Sequence, residues 1–201
     1  MDIELNDAQK IKILCSDDLY SVMQNILLRE GKIDQDREHF WTICLDNANR
    51  ILNIELISLG NINSTTVIPM EVFSFPLQKR TVKLMIVHNH PSGELEPSEA
   101  DKDLTDRLIQ VGKIVKVPVL DHLVISTKNY YSFLDDGVMD ELEKSLKYVP
   151  VYRQKEMAVE HALDKKSIEM AKAMKKEGLP IKTIVKISGL SKSEVEELKL
   201  D

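Results

Sequence analysis

Two histidines one residue apart, His88-Asn89-His90, follow the most continuous apolar run of the chain, VKLMIV over Val82–Val87. Side chains of an extended strand alternate between faces, so His88 and His90 point the same way and both imidazoles can address one point. Pro91-Ser92-Gly93 then turns the chain, and Ser98 is placed to start a helix running to about Val115. Asp101 lies one turn into that helix, in line with Leu104 and Leu108, which aims its carboxylate at the sheet where the histidines end. Two imidazoles and one carboxylate form a three-ligand set that leaves a fourth position for water, the layout of a catalytic zinc rather than a closed structural one. Such a metal lowers the pKa of its water to about 7 and supplies hydroxide at neutral pH. A plainer reading fits the same residues: an incidental His-x-His beside a helix whose Ser98-x-x-Asp101 is only a capping box. Spacing alone weighs the two equally.

The elements around this stretch must hold it. Lys10–Leu14 alternates as a short strand, and Ser16-Asp17-Asp18 offers a cap for a helix over Leu19–Arg29 that stops at Gly31. His39–Asp46 and Ile51–Leu59 read as a hairpin about the turn at Asn47–Arg50, followed by a polar loop over Asn61–Thr66. A short helix is expected over Pro69–Phe75, and Val82–Val87 reads as a strand covered on both faces. Further strands are expected over Pro118–Ser126 and Tyr130–Leu134. The order implies an α/β (α+β) sandwich with a mixed central sheet. Beyond about residue 140 the strand signal ends. A helix over Gln154–Lys176 is broken by Gly178-Leu179-Pro180, and two short helices follow over Ile181–Ile187 and Ser191–Leu198. The expected division is therefore a domain over 1–137 and a helical tail over 138–201, with a helix-turn-helix-like end at 178–199.

Composition bounds what the chain can be. It has 201 residues, 43% hydrophobic and 30% charged, enough to bury a proper core. No apolar run approaches the roughly 18 residues of a membrane helix. The start, Met1 to Asp7, is acidic and lacks an apolar stretch, so no secretory leader and a cytoplasmic location are expected. Cys15 and Cys44 stand apart, which excludes a disulfide scaffold and a cysteine zinc site; any metal must be held by His and Asp. The net charge of −6 divides into −8 over residues 1–140 and +2 over 141–201, so contact with nucleic acid is open only to the tail.

His88-x-His90-Pro91 followed by Ser98-x-x-Asp101 matches the JAMM signature of the JAB/MPN metalloprotease superfamily. The longer string HNHPSGELEPSEAD, the later VLDHLVIS and the upstream REHFWTICLD resemble the RadC branch, over roughly residues 10–136. The resemblance implies a curved mixed sheet flanked by helices, with Zn2+ at His88, His90 and Asp101. It implies that Glu38 activates the metal-bound water and that the hydroxyl of Ser98 helps hold the tetrahedral intermediate of peptide or isopeptide hydrolysis. Taken by itself, Glu38 is a solvated charge in the run Asp34–Glu38, and Glu55 on the partner strand is the fallback base. Asp121-His122 is expected to be a buried, hydrogen-bonded structural pair, with His39 packed on a strand, His161 on a helix surface, and Phe40, Trp41 and Cys44 in the core. Only about nine residues precede the first expected strand, so the helix-hairpin-helix-like region of full-length RadC proteins is expected to be missing. The alternative to a hydrolase is a non-proteolytic, DNA-associated accessory protein of repair or mobile-element biology. No substrate follows from the sequence.

The tail string GLPIKTIVKISGLSKSEVEEL resembles short tails of bacterial and phage-related proteins. Ile181, Ile184, Val185 and Ile187 form one apolar face, Gly189 makes a turn, and Ser191-x-x-Glu194 caps the next helix. Lys182, Lys186 and Lys192 could meet phosphates, but Glu194, Glu196 and Glu197 crowd the helix that would enter DNA, which favours a docking tail.

Overall fold

The computed structural model describes residues 3, 11–60 and 67–199. Lys10 of the first expected strand and the expected loop Asn61–Thr66 lie outside the described residues. The chain forms two compact units, Met1–Tyr148 and Val149–Asp201.

In chain order the first unit runs α1 (Ser16–Leu27), α2 (Lys32–Gln35), β1 (His39–Leu45), β2 (Ile51–Leu59), α3 (Pro69–Gln78), β3 (Lys83–Asn89), α4 (Glu99–Val115), β4 (Val119–Ile125), β5 (Tyr130–Ser132) and α5 (Val138–Glu143). The strands form one mixed sheet in the order β2-β1-β3-β4-β5. β1 is antiparallel to both β2 and β3, β3 and β4 are parallel, and β5 returns antiparallel to β4. The parallel pair requires a crossover, which α4 supplies.

Alternation along the strands divides the core in two. Trp41, Ile43, Met85, Val87, Leu123 and Ile125 face α1, whose stripe is Leu19, Val22, Met23, Ile26 and Leu27. Phe40, Leu84, Ile86 and Val124 face α3 and α4, meeting Val72, Phe73, Leu104 and Leu108. Every residue of β1 is buried, because both faces of that strand are covered. The chain leaving α4 folds back tightly on the helix at Gly112, where an added Cβ would lie 2.7 Å from the carbonyl oxygen of Val117.

Three expectations shift. The first strand reduces, among the described residues, to a single bridge between Lys12 and Arg50. α1 begins at Ser16 because Asp18 Oδ2 accepts from the backbone N–H of Leu14 and Cys15 at 2.8 and 3.3 Å. The first unit also extends past residue 137. α5 buries Met139 against the α4 side of the core, Ser145 donates to Asp106 at 2.6 Å, and Tyr148 donates to Asp103 at 2.8 Å.

The second unit is all helical: α6 (Val151–Lys176), α7 (Ile181–Ser188) and α8 (Lys192–Glu197). Ala171, Ile184 and Val195 form its small core. Lys175 Nζ donates to the carbonyls of Val195, Glu196 and Leu198 at 2.7, 2.8 and 2.9 Å, closing the end of α8 where helix carbonyls lack partners. Among the described residues no helix is long and apolar enough to cross a membrane.

Candidate metal centre

β3 ends at the site. His88 is buried on the α4 face of the sheet, and His90, the first residue beyond the strand, turns its ring to the same point. Their Nε2 atoms lie 3.0 Å apart. Gly93, at φ +83°, reverses the chain and donates to the carbonyl of His90 at 3.0 Å. This brings the Glu94 carbonyl to 2.6 Å from His90 Nδ1. A carbonyl only accepts, so Nδ1 carries the proton and Nε2 of the neutral ring keeps its lone pair.

Asp101 arrives from the first turn of α4, and its two oxygens divide the work. Oδ2 accepts from the Ser98 backbone N–H at 2.8 Å and from Ser98 Oγ at 2.6 Å, while the Asp101 N–H donates back to Ser98 Oγ at 3.2 Å. This is the capping box of the plainer reading. Oδ1 lies 3.4 Å from His88 Nε2, and Oδ2 lies 3.9 Å from His90 Nε2. The cap and the candidate ligand are one carboxylate.

The donor atoms of His88, His90 and Asp101 all lie within 4.8 Å of one another, a group that could hold a metal ion. Two imidazole nitrogens and a carboxylate oxygen suit a first-row divalent cation such as zinc. Burial holds the His88 imidazole down at about 4; Asp101 beside it pulls upward and His90 lowers it again. The ring is therefore neutral near pH 7, with a nitrogen free to ligate. Phe40 stacks at 6.4 Å from the His88 ring and forms an apolar wall.

Behind this trio stands a second layer. His88 Nδ1 is 2.7 Å from His122 Nε2 on β4, and His122 Nδ1 is 2.7 Å from Thr105 Oγ1 on α4. His122 is buried between Phe40 and Phe133, with ring centroids at 5.9 and 4.6 Å. Burial, then the nearby His88 and His90, hold its imidazole well below the ordinary histidine range. Its neighbour Asp121 points away, accepting from Ser132 Oγ at 2.7 Å and from the N–H of His122 and Leu134 at 2.7 and 2.9 Å. Burial raises the Asp121 carboxyl to about 6 against these bonds.

Glu38 lies just before β1. Phe40 pairs with His88, the last pair of the antiparallel β1–β3 register. Asn89, buried between the two histidines, clamps the backbone on both sides of Glu38. Its Oδ1 accepts from the His39 N–H at 2.7 Å, and its Nδ2 donates to the Arg37 carbonyl at 3.0 Å. Glu55 pairs with Thr42, which pairs with Ile86. That is about 7 Å down the strand from the level of His88 and two strand spacings away.

Residues 13–138 match the model of the RadC-like JAB domain. The chain belongs to that family. It is 40% identical over 127 residues to a UPF0758 protein of Flavobacterium johnsoniae, covering 63% of this chain and 53% of that protein. It is 43% identical over 103 residues to a UPF0758 protein of Desulforudis audaxviator, covering 51% and 45%. A UPF0758 protein of Methanosarcina barkeri is 38% identical over 131 residues, covering 65% and 55%. The chain thus spans about half the length of these curated relatives. The RadC resemblance and the mixed, helix-flanked sheet expected from it are both borne out.

In this RadC-like JAB domain the spacing argument brings His88, His90, Asp101 and Ser98 together. It missed Thr105 and gave His122 only a structural place. The available signal for Thr105 was its position four residues after Asp101 on the same helical face. For His122 the signal was its place as a polar residue in the apolar run VLDHLVIS, but only pairing of β4 with β3 brings it to His88.

Proposed function

We propose that this protein is a zinc-dependent hydrolase of peptide or isopeptide bonds. The observation that carries this reading is the convergence of His88 Nε2, His90 Nε2 and an Asp101 carboxylate oxygen within 4.8 Å at the end of β3. A bound zinc supplies Lewis acidity and a water acidified to a pKa near 7. Glu38 accepts the proton of the attacking water and returns it to the leaving amine. Support for Glu38 over Glu55 is its place two residues before Phe40, which pairs with His88, and the Asn89 clamp on its flanking peptides. Ser98 Oγ has one proton, which it donates to Asp101 Oδ2 at 2.6 Å. In the ground state it orients the ligand carboxylate, and its part in holding the oxyanion is to turn that proton to the substrate.

The test is metal analysis of the full chain purified without chelator. About one zinc per chain is expected, lost in His88→Ala and Asp101→Ala. Glu38→Gln is expected to keep the metal and to lose hydrolysis of a mixed peptide library. Equal metal in the wild type and both ligand variants would overturn the site.

A further inference from the structure

We propose that Thr105 and His122 form a proton-direction relay that fixes the tautomer of His88 and presents its Nε2 lone pair to a metal. The relay rests on the metal-site reading above. Neither residue touches the metal position, so both are positioning residues.

Thr105 Oγ1 lies 2.5 Å from the backbone carbonyl of Asp101, which is an acceptor only, so the hydroxyl donates its single proton there. That proton is unavailable to His122. The 2.7 Å contact between Thr105 Oγ1 and His122 Nδ1 must therefore run the other way, with Nδ1–H donating to the hydroxyl oxygen. A neutral imidazole carries one N–H, so His122 Nε2 is bare and accepts. Its partner at 2.7 Å, His88 Nδ1, must then be the donor. His88 has its proton on Nδ1, and Nε2, 3.4 Å from Asp101 Oδ1 and 3.0 Å from His90 Nε2, is bare.

Each link has one direction, set at the end by a group that cannot donate. His88, His122 and Thr105 are buried, so water cannot easily substitute for a missing link. The relay starts on the main chain of Asp101 and ends at the imidazole facing the Asp101 side chain, so it ties the register of α4 to that of β3 and β4. His90 reaches the same state by a separate route, the Glu94 carbonyl. Two bare nitrogens facing each other at 3.0 Å suit a shared cation.

Thr105→Val keeps the shape but removes the acceptor. His122 Nδ1–H then loses its partner, the ring favours the Nε2–H form, and the proton aimed at His88 Nδ1 drives the His88 proton onto Nε2. The experiment uses the full chain, 15N-labelled, stripped of metal and titrated with zinc chloride against a competing chelator. Long-range 1H–15N spectra read which ring nitrogens carry protons. The wild type is expected to show Nδ1–H on both His88 and His122. Thr105→Val is expected to lose that pattern and about 10–100-fold in zinc affinity. Thr105→Ser, which restores the hydroxyl, is expected to recover both. Nε2–H on His122 in the wild type would overturn the relay, as would wild-type zinc affinity and spectra in Thr105→Val. If Thr105→Val does not fold, the wild-type spectrum and Thr105→Ser decide. A wild type that binds no zinc but shows the expected tautomers would overturn the metal reading while leaving the relay standing.

Discussion

Asn89 shows how much one side chain between two histidines can determine. Its amide oxygen and amide nitrogen each bond a peptide beside Glu38, so truncation leaves the buried His39 N–H and the Arg37 carbonyl without this partner. Asn89→Ala is expected to lower kcat by up to about 100-fold through misplacement of Glu38, with zinc stoichiometry unchanged. Zinc lost in proportion to activity would assign Asn89 to the metal site instead. Asp121 gives a second test. Its folded carboxyl titrates near 6, above the ordinary aspartate value of 3.8, so the folded state holds a proton that the unfolded chain has released between those values. This term weakens the fold as pH rises. His88 titrates near 4 when folded and 6.5 otherwise, and His122 is also lowered, so these two strengthen the fold as pH rises through the same window. In Asp121→Asn only the histidine terms remain. Denaturation of metal-free protein between pH 4 and 6 is expected to show stability rising more steeply with pH in Asp121→Asn than in the wild type; equal slopes would refute the assignment.

At the scale of elements, α4 does most of the positioning. It brings Asp101 to the end of β3 and Thr105, one helical turn on, to His122 in the middle of β4, and it lies close to the chain that follows it at Gly112. Alanine there gains about 1 kcal/mol of helix propensity. It also forces a Cβ to 2.7 Å from a main-chain carbonyl, and such overpacking costs about 1–3 kcal/mol. Gly112→Ala is therefore expected to lower stability by up to about 2 kcal/mol in chemical denaturation and to weaken zinc binding as α4 shifts. The periodicities of α1 and α4 were legible because each buries a regular stripe against the sheet, and β1 and β2 because the polar turn Asn47–Arg50 separates two strand-like runs. α2 and α5 were not, since a helix of 4 or 6 residues has too few turns for a period to show.

Over the whole molecule, the first unit carries every residue proposed for chemistry and closes at Tyr148, whose hydroxyl donates to Asp103. A chain ending at Tyr148 is expected to bind zinc as the full chain does, whereas one ending at residue 137 is expected to lose stability through exposure of the α4 side of its core. Comparable zinc titrations and melting curves for the two truncations would overturn that boundary. The sequence by itself determined the family, the mixed fold and the trio His88, His90 and Asp101, because strand alternation, helical period and a long motif are properties of residues near in the chain. Tertiary structure decided what distance along the chain conceals. The sheet order set Glu55 two strand spacings from β3, while the pairing of β3 with β4 placed His122 behind His88. The packing of α4 on the sheet put Thr105 beside His122, because the partners of a buried polar group are chosen by packing and not by spacing.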